Sequence, residues 1–365
     1  MKEIKKIVAA FQQKESNEKM ALATVVRVEG SSYRRMGARM LVSERGNWVG
    51  GISGGCLEGD ALKRARMAIL KDKASVITYD TSIDDDHQIG VGLGCNGIID
   101  VLFTPIDEKD PNNPIALFQK ILSERRQTRR LLTISKSENS KELGKVFEFT
   151  APSSLEAFDS IPDKNELAEA LAQLQKSKNF HLSETLHIFA EVLPPSLHIL
   201  LMGHQYDLYP LIDMIDQLGW DCTVVAQAEK VKSNKPLQIW PPEKLESLTV
   251  DNCTAVILMS HSLQTDKRNL KTVMQWPVPY IGLLGPLERS KRIFRELEEE
   301  GLAFSAEIQN RLFAPVGLNL GATSPEEIAL SMVAEIKSIF AHRDARPLRE
   351  RREPIHERDK PMKFY

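Results

Sequence analysis

"LHILLMGHQYDLYPLIDMIDQLGWDCTVVA", residues 197–226, decides how the second half of the chain folds. "LHILLMG" is a short apolar run with no alternation, the pattern of a strand covered on both faces. "DLYPLIDMIDQLG" follows as a helix, and "DCTVVA" returns to a buried strand. Further on, "TAVILMS" (254–260) and "PYIGLLG" (279–285) are strands of the same kind. "ERSKRIFRELEEEG" (288–301) is a helix closed by Gly301, a residue that accepts a left-handed conformation without steric cost. Strand–helix alternation of this kind predicts a Rossmann-like, doubly wound parallel sheet over residues 195–341. Its last helix is "TSPEEIALSMVAEIKSIF" (323–340), where Ser324 caps, Pro325 fits the first turn and Glu327 reaches back.

Upstream the pattern differs. "ALATVVRVE" and "ARMLVSE" are strands, with "NWVGGI" continuing the second; "SVITYD" and "IIDVLFTPI" are two more. "CLEGDALKRARMAILKD" reads as a helix that turns Leu57, Ala61, Ala65, Ala68 and Ile69 inward. Residues 1–105 are thus expected to form an α+β domain, and the chain as a whole is α/β. Residues 106–194 are an intervening segment, with "DEKDPNNP" as a linker, "RRLLTIS" and "KVFEFT" as a strand pair and "KNELAEALAQLQKS" as a helix. Residues 342–365 are a charged tail, too polar to bury itself and expected to lie on the surface.

The 365 residues carry a formal net charge of -2, 42% hydrophobic and 27% charged residues, a soluble globular composition in which nucleic acid is not the expected partner. No apolar run reaches membrane-spanning length, and the charged, helix-periodic start is no secretory signal. Cys56, Cys95, Cys222 and Cys253 lie far apart with no CxxC pair, which fits neither a disulfide framework nor a zinc signature. A reducing cytoplasm is the expected location.

"GSSYRRMGARM" (30–40) and "GGISGGCLEGD" (50–60) place glycines and two arginines around one thiol. A helix beginning near Cys56 would aim its unpaired amide hydrogens, and the positive end of its dipole, into the "SGG" loop. That arrangement attracts an oxyanion and lowers the pKa of a thiol at the helix start. Glycines let backbone approach a ligand, and Arg34 and Arg35 are long enough to reach a phosphate. "GLGCNG" (92–97) offers a second thiol, Cys95. The alternative is a pair of tight turns in which cysteine fills a small buried space. A ligand bearing both a phosphate and a thiophilic metal suits the first reading.

"VVRVEGSSYRRMGARMLV", "GGISGGCLEGD", "GLGCNGIIDVL", "PYIGLLGPLERSKR" and "FAPVGLNLGATSPEEIALSMVAEI" together resemble the XdhC/CoxI family, maturation factors for xanthine and carbon monoxide dehydrogenases. The resemblance runs from about Ala21 to "PLRERREPIH" in the tail and is weak over 106–185. It implies a chaperone that binds molybdenum cofactor (molybdopterin) as cargo, and works with a cysteine desulfurase-type sulfurtransferase and an apo molybdenum hydroxylase. The family's motifs fall on Gly54, Gly55, Cys56 and Glu58, on Gly94 and Cys95, and on Ser31, Ser32 and Arg34, with Tyr33 in place of a proline. Cys56 is then the candidate molybdenum ligand. A homodimer is compatible with this reading.

The nucleotide fingerprint is damaged. Gly203 is present, but Gln205 stands where a second glycine would admit the pyrophosphate, and Leu208 occupies the third position. Ala226 replaces the acid that would hold ribose hydroxyls. An NAD(P)-dependent oxidoreductase is the alternative that the fold suggests, and these positions speak against it. His261 and Asp266 sit where a strand end meets the next helix, on the crevice side of such a sheet, and match the family's pattern. The other reading of that stretch is a capped helix with His261 bonded to backbone.

Overall fold

The computed structural model describes residues 1–30, 32–80, 97–124, 127–156, 158, 161–352 and 361–364. It divides into two units, Met1–Pro194 with His356–Tyr365, and Pro195–Ile355.

In the first unit, strands β1 (Met20–Gly30), β2 (Arg39–Ser43), β3 (Trp48–Gly50), β4 (Ser75–Asp80) and β5 (Gly97–Pro105) form an antiparallel sheet ordered β3-β2-β1-β5-β4. "NWVG" does not prolong β2; it returns beside it as edge strand β3 after a turn at Gly46, whose φ is +91°. β1 is buried on both faces, and its alternation shows why. Ala21, Ala23 and Val25 join the core beneath helix α2 (Glu58–Lys71), while Leu22 and Val26 face the other way. α2 buries Ala61, Ala65, Ala68 and Ile69. Small residues on both partners let the helix lie close to the sheet.

The opposite face of β1 meets a second sheet. Its strands are β6 (Arg129–Lys136), β7 (Val146–Glu148), β8 (Lys178–His181), β9 (His187–Leu193) and, from the chain's end, β16 (Met362–Lys363), ordered β16-β8-β9-β6-β7. Leu131, Phe189 and Leu193 pack there with Leu22, Val26, Leu41 and Leu102. Helices α1 (Lys2–Gln12) and α3 (Pro114–Ser123) close one margin through Ile4, Ile7, Ile115 and Phe118. α4 (Lys164–Ala172) covers the second sheet's outer face. The tail does not merely lie on the surface: Met362 and Lys363 pair in parallel with Phe180 and His181, and Phe364 joins the core under α4.

One ion pair crosses between the two sheets. Arg39 of β2 and Glu191 of β9 are joined by two hydrogen bonds, with side chains only 5% and 7% exposed. Arg39 Nη1 also donates to the Gly37 carbonyl at 2.6 Å, and the guanidinium lies 4.7 Å from the Phe118 ring centroid.

The second unit is a parallel sheet of β10 (His198–Met202), β11 (Asp221–Val225), β12 (Gln238–Trp240), β13 (Thr254–Leu258), β14 (Tyr280–Leu283) and β15 (Leu312–Phe313), ordered β12-β11-β10-β13-β14-β15. α5 (Leu208–Leu218) and α9 (Pro325–Phe340) cover one face. α6 (Leu263–Val273) and α7 (Leu287–Glu299) cover the other, and short α8 (Ala306–Asn310) precedes β15. This is the doubly wound α/β arrangement that the alternation predicts. Ser324 and Glu327 form the expected capping box on α9. Among the described residues, no helix is long and apolar enough to cross a membrane.

Removing one partner of a buried ion pair leaves the other charge unpaired and costs about 3–5 kcal/mol. Glu191→Ala is therefore expected to lower unfolding free energy by an amount in that range in urea denaturation. Glu15→Ala, whose pairing with Arg45 is solvent-exposed, is expected to leave the midpoint unchanged.

Candidate functional site

Register gathers the segments singled out in the first unit. Gly30 pairs with Gly97, Thr24 with Arg39, and Met40 with Gly50. The C-terminal ends of β1 and β3 and the N-terminal ends of β2 and β5 therefore lie at the same end of the sheet. Gly50 has φ +89°, and a Cβ there would stand 2.3 Å from the Arg39 carbonyl oxygen. Only glycine permits that approach. The Arg39 carbonyl then accepts from Gly51 N–H at 2.8 Å, which starts the cysteine loop.

The loop itself is organised by two side chains. Ser53 Oγ accepts from the Gly55 and Leu57 amides, each at 3.1 Å, and donates to Glu58. The Glu58 carboxylate also accepts from the amides of Ile52, at 3.1 Å, and Ser53, at 2.8 Å. The expectation from sequence was that amides at the helix start point at an external anion. Here the chain's own serine and glutamate accept from four amides of the loop before the helix, those of Ile52, Ser53, Gly55 and Leu57, because Ser53 and Glu58 are spaced to fold back onto the turn. Burial pushes the Glu58 carboxyl's pKa up, but hydrogen bonds from the Ser53 hydroxyl and from the Ser53, Glu58 and Ile52 amides outweigh it, so the pKa lies below the usual carboxylate value.

Cys56 is exposed at the crest of this loop, with Sγ 3.4 Å from Ser53 Oγ. Gly54 and Gly55 beside it are exposed, and Gly55 has φ +117° with open space where a side chain would stand. The Tyr33 ring, 75% exposed, lies over Gly54, with ring atoms 3.4–3.8 Å from the place of a Cβ. That contact joins the "SSYR" and "SGGC" segments. Arg34 gives its guanidinium to Glu3 of α1, with both oxygens 2.7 Å away. Arg35 is exposed and forms no ion pair among the described residues. Ser32 is half-buried. Ser31, Gly94 and Cys95 lie outside the described residues. No group of three or more His, Cys, Asp or Glu side chains able to hold a metal occurs among the described residues.

In the second unit, a Cβ on Gly203 would stand 2.4 Å from the Met259 carbonyl oxygen, so this glycine serves strand packing at the end of β10. Gln205 is exposed and Ala226 is buried in the core. His261, in the turn after β13, and Asp266, in the first turn of α6, have different partners. His261, with φ +59°, places Nε2 2.7 Å from Asp207 Oδ2. Asp266, fully buried, accepts from Ser260 N–H at 3.2 Å, from Ser260 Oγ at 2.6 Å, and from Arg289 Nη2 at 2.6 Å. Sequence reading missed Asp207 and Arg289. An acid directly before a helix that follows a strand is a visible signal for the first; nothing local marks Arg289. Cys222 on β11 is half-buried, and burial first, then Asp221, pushes its thiol up to about 12.

An antiparallel α+β unit with an exposed cysteine on a glycine turn, followed by a Rossmann unit lacking its glycine fingerprint, is the class of protein defined here. The chain belongs to the XdhC and CoxI family: residues 199–336 match the XdhC Rossmann domain, and residues 13–80 match the segment described as XdhC and CoxI family. A similar protein is a probable xanthine dehydrogenase subunit from Bacillus subtilis (strain 168), 29% identical over 335 residues that cover 88% of this chain and 93% of that one. Another is the molybdenum cofactor insertion chaperone PaoD of Escherichia coli (strain K12), 22% identical over 329 residues, 90% of this chain and 86% of PaoD. A crystal structure described as a xanthine dehydrogenase from Bacillus halodurans shares the fold, with TM-score 0.70 and 24% identity over 94% of this chain and 97% of that one.

A carboxylate whose pKa falls on folding stabilises the fold above its unfolded value and loses that contribution as pH drops through the folded one. The melting-temperature difference between wild type and Glu58→Gln is therefore expected to be full at neutral pH. It should shrink once pH falls below the ordinary 4.5, where Glu58 becomes neutral like glutamine. A difference independent of pH would show that the Glu58 charge does not hold the loop.

Proposed function

We propose that the chain binds molybdenum cofactor as cargo and passes it to an apo hydroxylase of the xanthine or carbon monoxide dehydrogenase type. The observation that carries this reading is the Cys56 thiol, held exposed on a loop four of whose amides are bonded by Ser53 and Glu58. A thiolate is a soft ligand suited to molybdenum, and the two glycines directly before it leave room for a bulky group. Arg35 is the nearby cation available for a phosphate, since Arg34 is engaged by Glu3. The likeness to PaoD, named as an insertion chaperone, supports the same class of role. A sulfurtransferase acting on the held cofactor, and a homodimer as the carrier, belong to this proposal. Dinucleotide binding by the second unit is read as lost, with Gln205 and Ala226 at the positions that would serve it.

Protein purified from a molybdate-fed host is expected to carry molybdenum and pterin, and Cys56→Ser to retain at least tenfold less of both at equal fold stability. Elemental and pterin analysis checks this. Unchanged molybdenum content in Cys56→Ser and in Cys95→Ser would overturn the proposal.

A further inference from the structure

In the parallel sheet the strand order reverses between β10 and β13, where the chain turns to opposite sides of the sheet after each strand. Ligands of such sheets enter the crevice outside that point, and a dinucleotide sets its pyrophosphate against the N-terminus of the helix after the first strand. Here that helix is α5, and the residue directly before it is Asp207. Its Oδ2 is bonded at 2.7 Å to His261, which comes from the turn after β13, so the two sides of the crevice are tied together across the switch point. Asp207 Oδ1 is buried and has no hydrogen-bond partner among the described residues. The neighbouring cation Arg289 is already committed, to Asp266 and to the Leu284 carbonyl at 2.9 Å.

We infer that Asp207 is the specificity-determining residue of this crevice: its carboxylate, latched by His261, is a fixed internal anion beside the start of α5 that bonds none of the helix's own amides and repels anionic nucleotides. The dipole of α5 favours one negative charge at its start, and Asp207 supplies it from within the chain. A second anion would face a fixed like charge whose one side-chain partner among the described residues is His261. Exclusion therefore does not rest on the missing glycine alone. Gln205 is exposed and free to move aside, whereas the Asp207 side chain is only 12% exposed and held. The crevice is left to ligands that are uncharged or cationic and can donate hydrogen bonds.

The test is calorimetric titration of the full chain with NAD, ADP and inorganic pyrophosphate at low salt. Wild type is expected to show no binding up to millimolar concentration, and Asp207→Asn and Asp207→Ser to bind ADP or pyrophosphate at least tenfold more tightly. Gln205→Gly, which leaves the carboxylate and its latch in place, is expected to gain nothing. The idea is wrong if wild type binds NAD at micromolar concentration, or if Gln205→Gly alone gains tenfold. It is equally wrong if both Asp207 variants melt like wild type and still bind no better.

Discussion

Arg39 is the residue on which the cysteine end of the first unit depends. Its guanidinium is sunk against Glu191 of the second sheet, its carbonyl takes the Gly51 amide, and its own amide lies 3.4 Å from a Glu3 oxygen. Glu3 in turn holds Arg34. Three segments far apart in sequence are thus referred to one side chain whose position is set by a pair buried between sheets. The cost of burying two charges is offset only when geometry is good and every remaining donor is used. Among the described residues Arg39 Nε has no partner, and two hydrogen bonds to Glu191, one to Gly37 and the Phe118 face carry the compensation. Gly37 is part of the same solution, since a Cβ there would stand 2.5 Å from Glu191 Oε1.

A shared device appears at two helix starts. α2 begins with Glu58, whose carboxylate folds back on the turn before it, and α5 is preceded by Asp207, bonded to His261. Helix N-termini attract negative charge. At both starts one of the chain's own carboxylates stands beside the positive end of the dipole, although neither accepts a hydrogen bond as the helix cap. The consequence for recognition is specific. A phosphate reaching the first unit would rely on a side-chain cation such as Arg35, and what the loop itself offers is the sulfur of Cys56.

Much of the fold was legible because it is periodic. The apolar runs of the parallel sheet, the inward alanines of α2 and the Ser324–Glu327 cap are local patterns that the structure reproduces. The segment after "DPNNP" was legible in principle: Asn113 caps α3 and Pro114 opens it, a start signal hidden by its setting among turn residues. Other features have no local signature. Arg39 and Glu191 are 152 positions apart, and His261 and Asp207 are 54 apart, so only tertiary contact reveals either pair. β16 adds two residues of the tail to a sheet whose nearest strand lies near residue 180, a pairing that no composition rule for a polar tail anticipates.

The proposed carrier role makes a particular demand on the cysteine loop, and its construction can be judged against that demand. An enzyme site gathers a base, a nucleophile and a stabiliser within hydrogen-bond reach. A carrier must instead hold its cargo without reacting and release it whole. Among the described residues the loop presents one thiol with a hydroxyl neighbour, a ligand that another donor can displace. Ligand exchange at one sulfur lets a partner's donor groups enter as the first bond breaks, so transfer need not pass through a free cofactor. In the proposed carrier, the backbone around the thiol would be shaped by the chain itself, since Ser53 and Glu58 bond four of the loop's amides without any cargo.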